Sequence, residues 1–534
     1  MKKIKYNIML IAGVFALVMS SCTDDLDVKS DDPLVFLSDE FFEQPDAYRQ
    51  GLAGVYGNLS LTGTTGAGSS NIQGIDAGTS QYGRCLWYLE NLSTDEVIWS
   101  YENDPGTREI QRNIWTASNP IFRGMFGRGM FQVALVNEYL RQTTADKLAS
   151  RGVTDQAQIS EINDFRNEVR VLRALAYYHL MDLFGKAAYN DENSALGVAG
   201  PEYNRQQLFD YIESELNEVI PSLKAPRTNE YGRVDQAVAR MILAKMYLNA
   251  QVYIGQDRYA DCVTQCNQII AGGYTLNPTY LNNFKADNHT SSEMIFTLQS
   301  DGIATQNYGP TTVMVNGQVG SIEQNGVSLG VGSGGWGGAL RLRKQFVQKF
   351  DGSDFDNDTR KTIISGVRDI EISDIANRDQ GYILAKFSNR TSAGIAGPNS
   401  TFVDTDFPLF RLADVYLMYA ECAARGAAGA TMSQAVTYVN SLRERANSGS
   451  TAANISANEL TLDFILDERS RELHWEGHRR QDLIRFGKYT GGSYNWAWKG
   501  NGSNGIAISA NLALYPIPTA SLAANPNLTQ NPGY

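Results

Sequence analysis

The sequence predicts a mainly α-helical fold, a scaffold of helix pairs carrying long loop-rich insertions. Three observations predict it. Apolar residues recur at helical spacing in several well-separated blocks. Glycines close those blocks. Between them the chain turns Gly-, Asn-, Ser- and Thr-rich and loses its period.

The chain opens with MKKIKYNIMLIAGVFALVMSSC, in which Lys2, Lys3 and Lys5 precede an apolar run from Ile8 to Met19. That is the form of a secretion leader over residues 1–21. Its end, Ser20, Ser21 and Cys22, is similar to the lipobox of bacterial lipoproteins; the plainer alternative is an ordinary leader that happens to precede a cysteine. Acylation at Cys22 would anchor the protein to a membrane without spanning it. The TDDLD that follows, with Asp24, Asp25 and Asp27, resembles an acidic signal for export to the outer face of the outer membrane.

The helical blocks come next. Periodicity is strong from Phe131 to Leu140 and in FRNEVRVLRALAYYHLMDLFG. There Val169, Leu172, Leu175, Ala176, Leu180 and Leu183 share a face and Gly185 stops the helix. VDQAVARMILAKMYLNAQVYIG with YADCVTQCNQIIAGG, and FRLADVYLMYAECAARGAAG with MSQAVTYVNSLRERA, read as helix pairs. Their small alanines beside large Tyr and Leu resemble tetratricopeptide-type pairs, which bury their faces by stacking on one another. Cys262 and Cys266, one turn apart, read as small buried hydrophobes. One domain is expected over residues 22–534, with loop-rich insertions at about 60–120 and 275–405. So long a stretch of aperiodic chain is usually functional; its extreme is VSLGVGSGGWGGALRLRK, where Trp336 stands among glycines.

Composition removes several functions. Net charge is −12, and loss of the three leader lysines takes it to −15. So acidic a surface does not suit nucleic acid, whose phosphates need clustered Lys and Arg. No cofactor is called for. RELHWEGHRR places His474 and His478 four apart, yet Glu476 does not follow the first histidine as a zinc-protease helix requires, and on a continuous helix it would point about 200° away. The alternating charges of LDERSRELHWEGHRRQDLIRFGKY suit ion pairs that fasten a helix to its neighbours. DFDND, with Asp354, Asp356 and Asp358, has Thr359 where a calcium loop needs glycine, and reads as a solvated acidic turn. Carboxylates are plentiful, but none stands in a recognisable glycosidase motif, so no enzyme is expected.

Several of these motifs together resemble the SusD/RagB outer-membrane lipoproteins of Bacteroidetes. They are the Cys22 lipobox with its acidic follow-on, RNEVRVLRALAYYHLMDLFGK, FPLFRLADVYLMYAECA, LDERSRELHWEGHRRQDLIRFGK and LYPIPTASLAANPNLTQNPGY. The resemblance spans Cys22 to Tyr534. It implies a tetratricopeptide-like fold, capture of a nutrient, usually a glycan, without hydrolysis, and a SusC-like TonB-dependent barrel as partner, over which the lipoprotein sits as a lid.

The loops GIDAGTSQYGR, LSTDEVIWSYEND, SDGIATQNYG, GGWGG and YNWAWKG extend the likeness towards the starch-binding branch of that family. Carried over position by position, the resemblance implies an aromatic arc of Tyr101, Tyr308 and Trp336 cradling an α-glucan. Arg84, Asp104 and Asp76 would be the polar helpers. Tyr101 stands where the starch-binding form has tryptophan, and Asp104 where it has asparagine. Trp99 is expected to turn away from Tyr101 and pack inside, and Trp496 and Trp498 to be structural. The alternative cargo is another glycan or a peptide.

Overall fold

In a computed structural model of the protein the described residues are 38–44, 46–318, 328–332 and 336–534. The leader, Cys22 and the acidic residues after it lie outside them, as does much of the glycine-rich run before Trp336.

The amino-terminal half contains, among others, helices α1 (Ala47–Ser60), α2 (Tyr82–Trp87), α3 (Pro120–Gln142), α4 (Gln156–Phe184), α5 (Arg205–Val219), α6 (Gln236–Leu248) and α7 (Tyr259–Ile270); a short strand β1 (Val97–Trp99) follows α2, and a small two-stranded pair, Lys186–Ala188 with Glu202–Asn204, links α4 to α5. Strand β2 (Met294–Leu298), helix α8 (Pro310–Gly317) and strand β3 (Leu340–Leu342) lie in the second loop-rich region. Strand β4 (Phe407–Arg411) then leads into α9 (Leu412–Ala424), α10 (Met432–Ala446), α11 (Leu462–Leu473) and α12 (Arg479–Arg485). Helix α3 packs on α4 and α4 on α5; α6 packs on α7, α7 on α9, and α9 on α10 and α11. The fold is therefore mainly α, a scaffold of helix pairs, and one contiguous buried cluster runs from Leu52 to Leu528. Among the described residues no helix is long and apolar enough to cross a membrane.

Local chemistry sets the helix ends. The Asp155 carboxylate accepts from Ala157 N and Gln158 N at the start of α4, and Gly185, at φ +71°, ends it. Asn204 and Gln207 form a reciprocal capping box on α5. Asn119 caps α3 with Pro120 at its first turn. Cys262, Cys266 and Cys422 are free and buried.

Three readings of the sequence need correction. Residues 60–120 are less irregular than their composition suggests: α2 runs into a π-helical turn, Tyr88–Leu92, and every residue from Tyr82 to Leu92 is buried. A helix apolar or enclosed on all sides has no polar face, so periodicity does not find it.

RELHWEGHRR is not one helix. Helix α11 ends at Leu473, and Trp475 (φ +62°) and Gly477 (φ +79°) break the chain before α12. The break, rather than helical rotation, parts Glu476 from the histidines. Its carboxylate accepts from Arg411 and from Lys386 Nζ at 2.7 Å, while His474 Nδ1 lies 3.0 Å from Arg471 O and His478 Nδ1 3.0 Å from Lys245 Nζ.

In DFDND, Asp354 and Asp356 are exposed, but Asp358 is buried against Arg360 Nη2 at 2.7 Å. Arg360 reaches on to Glu468 at 2.7 Å and Glu472 at 3.2 Å.

Those last contacts belong to a buried ionic web. Arg411 meets Glu293 and Glu472 at 2.7 Å each, and Arg469 joins Asp414 at 2.9 Å to Asp482 at 2.8 Å. Arg479 grips Asp95 through two bonds of 2.7 Å, which ties α12 to the residues entering β1. Paired charges of this kind hold geometry, because an unpaired one would cost several kcal/mol.

Candidate functional site

Strand β1 pairs antiparallel with β3, Val97 opposite Leu342 and Trp99 opposite Leu340. The pairing extends one step outward, Ser100 N donating to Ala339 O at 2.9 Å, and a turn closed by Ala339 N donating to Trp336 O at 2.9 Å sets Trp336 beside it. Buried Arg343 fixes the strand from below, donating to Val97 O at 3.0 Å and Gln111 O at 2.8 Å. Tyr101 and Trp336, 235 positions apart, thus hang from one short ribbon.

Tyr308 approaches from another direction. It ends the loop between β2 and α8, with Asn307 Oδ1 accepting from Gly309 N at 2.8 Å. Its ring packs on Phe402, centroids 5.0 Å apart, and lies nearly parallel to Trp336, at 6.1 Å and 26°. Gly78 makes room for it, since a Cβ there would stand 2.9 Å from the Tyr308 ring.

Arg84 sits on α2, whose cap Gln81 accepts from Arg84 N at 2.6 Å and anchors itself by donating to Leu59 O at 2.8 Å. Arg84 Nε donates to Tyr88 Oη at 3.0 Å; its two terminal nitrogens have no protein partner among the described residues. Asp76 holds its own turn, accepting from Thr79 N at 2.9 Å.

These elements enclose one open cleft of about 580 Å³, lined by Asp76, Arg84, Tyr101, Asp104, Tyr308 and Trp336. The structure therefore brings all six named side chains to one concavity. Trp99 lines it too. It is packed, 2% exposed, but it does not turn away from Tyr101. Residues two apart on an extended strand share a side, and the two rings meet edge to face at 5.4 Å. Trp99 Nε1 donates to Asp104 Oδ2 at 2.9 Å. Trp496 is fully buried, and Trp498 donates to Ile372 O at 2.9 Å under the Arg112 guanidinium.

Arg378 was not signalled by the sequence. Its guanidinium lies over the Tyr101 ring, 4.5 Å from the centroid, and donates to Tyr101 Oη at 2.6 Å. It also donates to Gly337 O at 3.4 Å, beside Trp336. A lone arginine in a polar loop, 277 residues from its partner, leaves no local trace. Among the described residues no group of three or more His, Cys, Asp or Glu is arranged to hold a metal ion.

The helical frame thus displays two near-parallel rings in an open, polar-edged cleft. Comparison with known proteins shows which family uses this frame. Residues 242–534 match the model of the SusD family. Starch-binding protein SusD of Bacteroides thetaiotaomicron is 32% identical, over 100% of both chains. SusD-like protein P2 of Formosa agariphila is 29% identical, over 70% of this chain and 76% of its own. The chain belongs to the SusD family.

Solved structures share the fold. A SusD homolog from Bacteroides thetaiotaomicron superposes with a TM-score of 0.70 at 19% identity, covering 93% of this chain and 98% of that one. Surface glycan-binding protein A from the same organism, solved in complex with laminarihexaose, gives 0.67 at 21% identity, covering 91% and 99%.

Proposed function

We propose that this protein captures α-glucan oligosaccharides of starch at the cell surface, without cleaving them, and passes them to a SusC-like TonB-dependent transporter. The observation that carries the reading is the cleft, where Tyr308, Trp336 and Tyr101 converge with Arg84, Asp76 and Asp104. The full-length likeness to a protein named as starch-binding supports the choice of ligand. Lipid anchoring through Cys22, on the outer face of the outer membrane, completes the proposal.

The chemistry fits a sugar. Pyranose faces present C–H groups that sit well on the electron-rich face of an aromatic ring, and a ring held by packing loses little entropy on binding. Hydroxyls at the sugar edges need directed partners, which the terminal nitrogens of Arg84 and the carboxylates supply. Each ring adds only about 0.5–1.5 kcal/mol beyond area, so dissociation constants in the ~mM to ~μM range are expected.

Titration calorimetry with maltoheptaose tests this. Trp336→Ala and Tyr308→Ala should each weaken binding about tenfold, and the double variant should show no heat. No heat with any α-glucan, beside clear binding of laminarihexaose, would overturn the starch reading.

A second reading keeps the role and changes the cargo to another glycan or a peptide. Its support is Arg378, which occupies one face of Tyr101 and leaves Tyr308 and Trp336 as the main platform.

A further inference from the structure

A second cleft, of about 450 Å³, opens between α1, the turn at 230–233 and the loop that leads to Tyr308. Its apolar floor comes from Leu52, Tyr56, Leu61 and Tyr231, and its edge from Arg49 and Gln299. Tyr231 is 43% exposed, unusual for a tyrosine whose hydroxyl is so firmly held. Its Oη donates to Asp406 Oδ2 at 2.6 Å and lies 2.9 Å from Thr297 Oγ1. Tyr56 is held the same way: Oη donates to Glu168 at 2.6 Å and accepts from Val234 N at 2.9 Å. Two tyrosines anchored by their hydroxyls therefore present their ring carbons to one groove. They do so at little further entropy cost, the property that suits rings to sugar faces.

The two clefts are neighbours along the same two segments. Thr305 lines the second and Tyr308 the first; Leu61 lines the second and Ala67 the first. Three residues of chain reach at most about 11 Å and six about 22 Å, so the two linings lie within the span of a short oligosaccharide.

We infer that the second cleft is a further subsite for the same glycan chain, with Tyr231 as its platform. The inference rests on the glycan reading of the first cleft. Its consequence is length dependence, because a chain held at one cleft reaches the other at high effective concentration.

The test is calorimetry or affinity electrophoresis with maltoheptaose and with long-chain amylose. Wild type should hold amylose at least tenfold more tightly, per chain, than maltoheptaose. Tyr231→Ala should remove most of that gain and leave maltoheptaose affinity within twofold. Because Tyr231 also braces Asp406, which accepts from Ser300 N at 2.8 Å in the loop to Tyr308, a second variant separates the effects. Ala53→Glu, at an exposed position on α1 in the cleft wall, obstructs the groove while keeping the Tyr231–Asp406 and Ser300–Asp406 bonds and should act alike. Wild-type amylose affinity in Ala53→Glu, or no gain with chain length in wild type, would overturn the inference. Absence of maltoheptaose binding would instead overturn the reading beneath it.

Discussion

Asp104 is divided between fold and cleft. Oδ2 accepts from the indole of buried Trp99 at 2.9 Å, while Oδ1 has no protein partner among the described residues. Removing the acceptor leaves a buried N–H unpaired, which costs roughly 1–3 kcal/mol. Asp104→Ala should therefore lower stability by that amount in urea unfolding, whereas Asp104→Asn, which keeps the acceptor, should lose under about 1 kcal/mol. Equal losses in both would show that charge, not the Trp99 bond, is what the position supplies. The type and place of Asp104 were legible in the sequence through the resemblance, but its grip on Trp99 was not. Nor was the need for glycine at Gly78, since neither its neighbours nor its φ signal that the Tyr308 ring lies on top of it.

Among the elements, the break between α11 and α12 does the most to join frame and site. Glu96, one residue before β1, accepts from Asn91 Nδ2 at 2.8 Å and from Trp475 N at 3.1 Å within that break. Burial raises its pKa to about 7, against the pull of Arg479 and with a push from Asp95. The unfolded value lies near 4.3. Between these values the folded protein keeps a proton that the unfolded chain has lost, so this group makes stability fall as pH rises from about 4.3 to 7. Glu96→Gln removes the titration. The loss of stability between pH 5 and pH 8 should shrink by roughly 2–3 kcal/mol relative to wild type, read from urea midpoints at the two pH values. Identical slopes would show that Glu96 is charged in the fold throughout.

The buried web acts in the opposite sense. For Glu472, burial would raise the pKa, but Arg445, Arg411 and Arg360 together bring it well below the usual carboxylate range. Its stabilisation is present above about pH 4.3 and is lost as pH falls further. Charge alternation in LDERSRELHWEGHRRQDLIRFGKY made ion pairing legible. The partners were not, because Arg411 and Arg360 come from 61 and 112 residues away.

For the molecule as a whole, attachment and ligand capture are separate features. The proposed lipid sits at Cys22, whereas the residues that line the cleft fall within 67–336. Cys22→Ala should move the protein from the membrane fraction to the soluble fraction of fractionated cells and abolish palmitate labelling, while the purified protein still binds maltoheptaose as wild type does. Retention in the membrane fraction after a high-salt wash, with no label on wild type, would remove the anchor from the proposal.

The sequence alone determined the helical class and the acidic charge, which are written in local spacing and composition. The cleft aromatics were named only through the resemblance to a family. Tertiary structure alone decided that Tyr101 and Trp336 share a ribbon, that Arg378 covers Tyr101, and that Tyr231 and Tyr56 flank a second groove. The reason is physical: these contacts join segments tens to hundreds of residues apart, and pairing over that distance is settled by which surfaces bury one another, not by the pattern within any one segment.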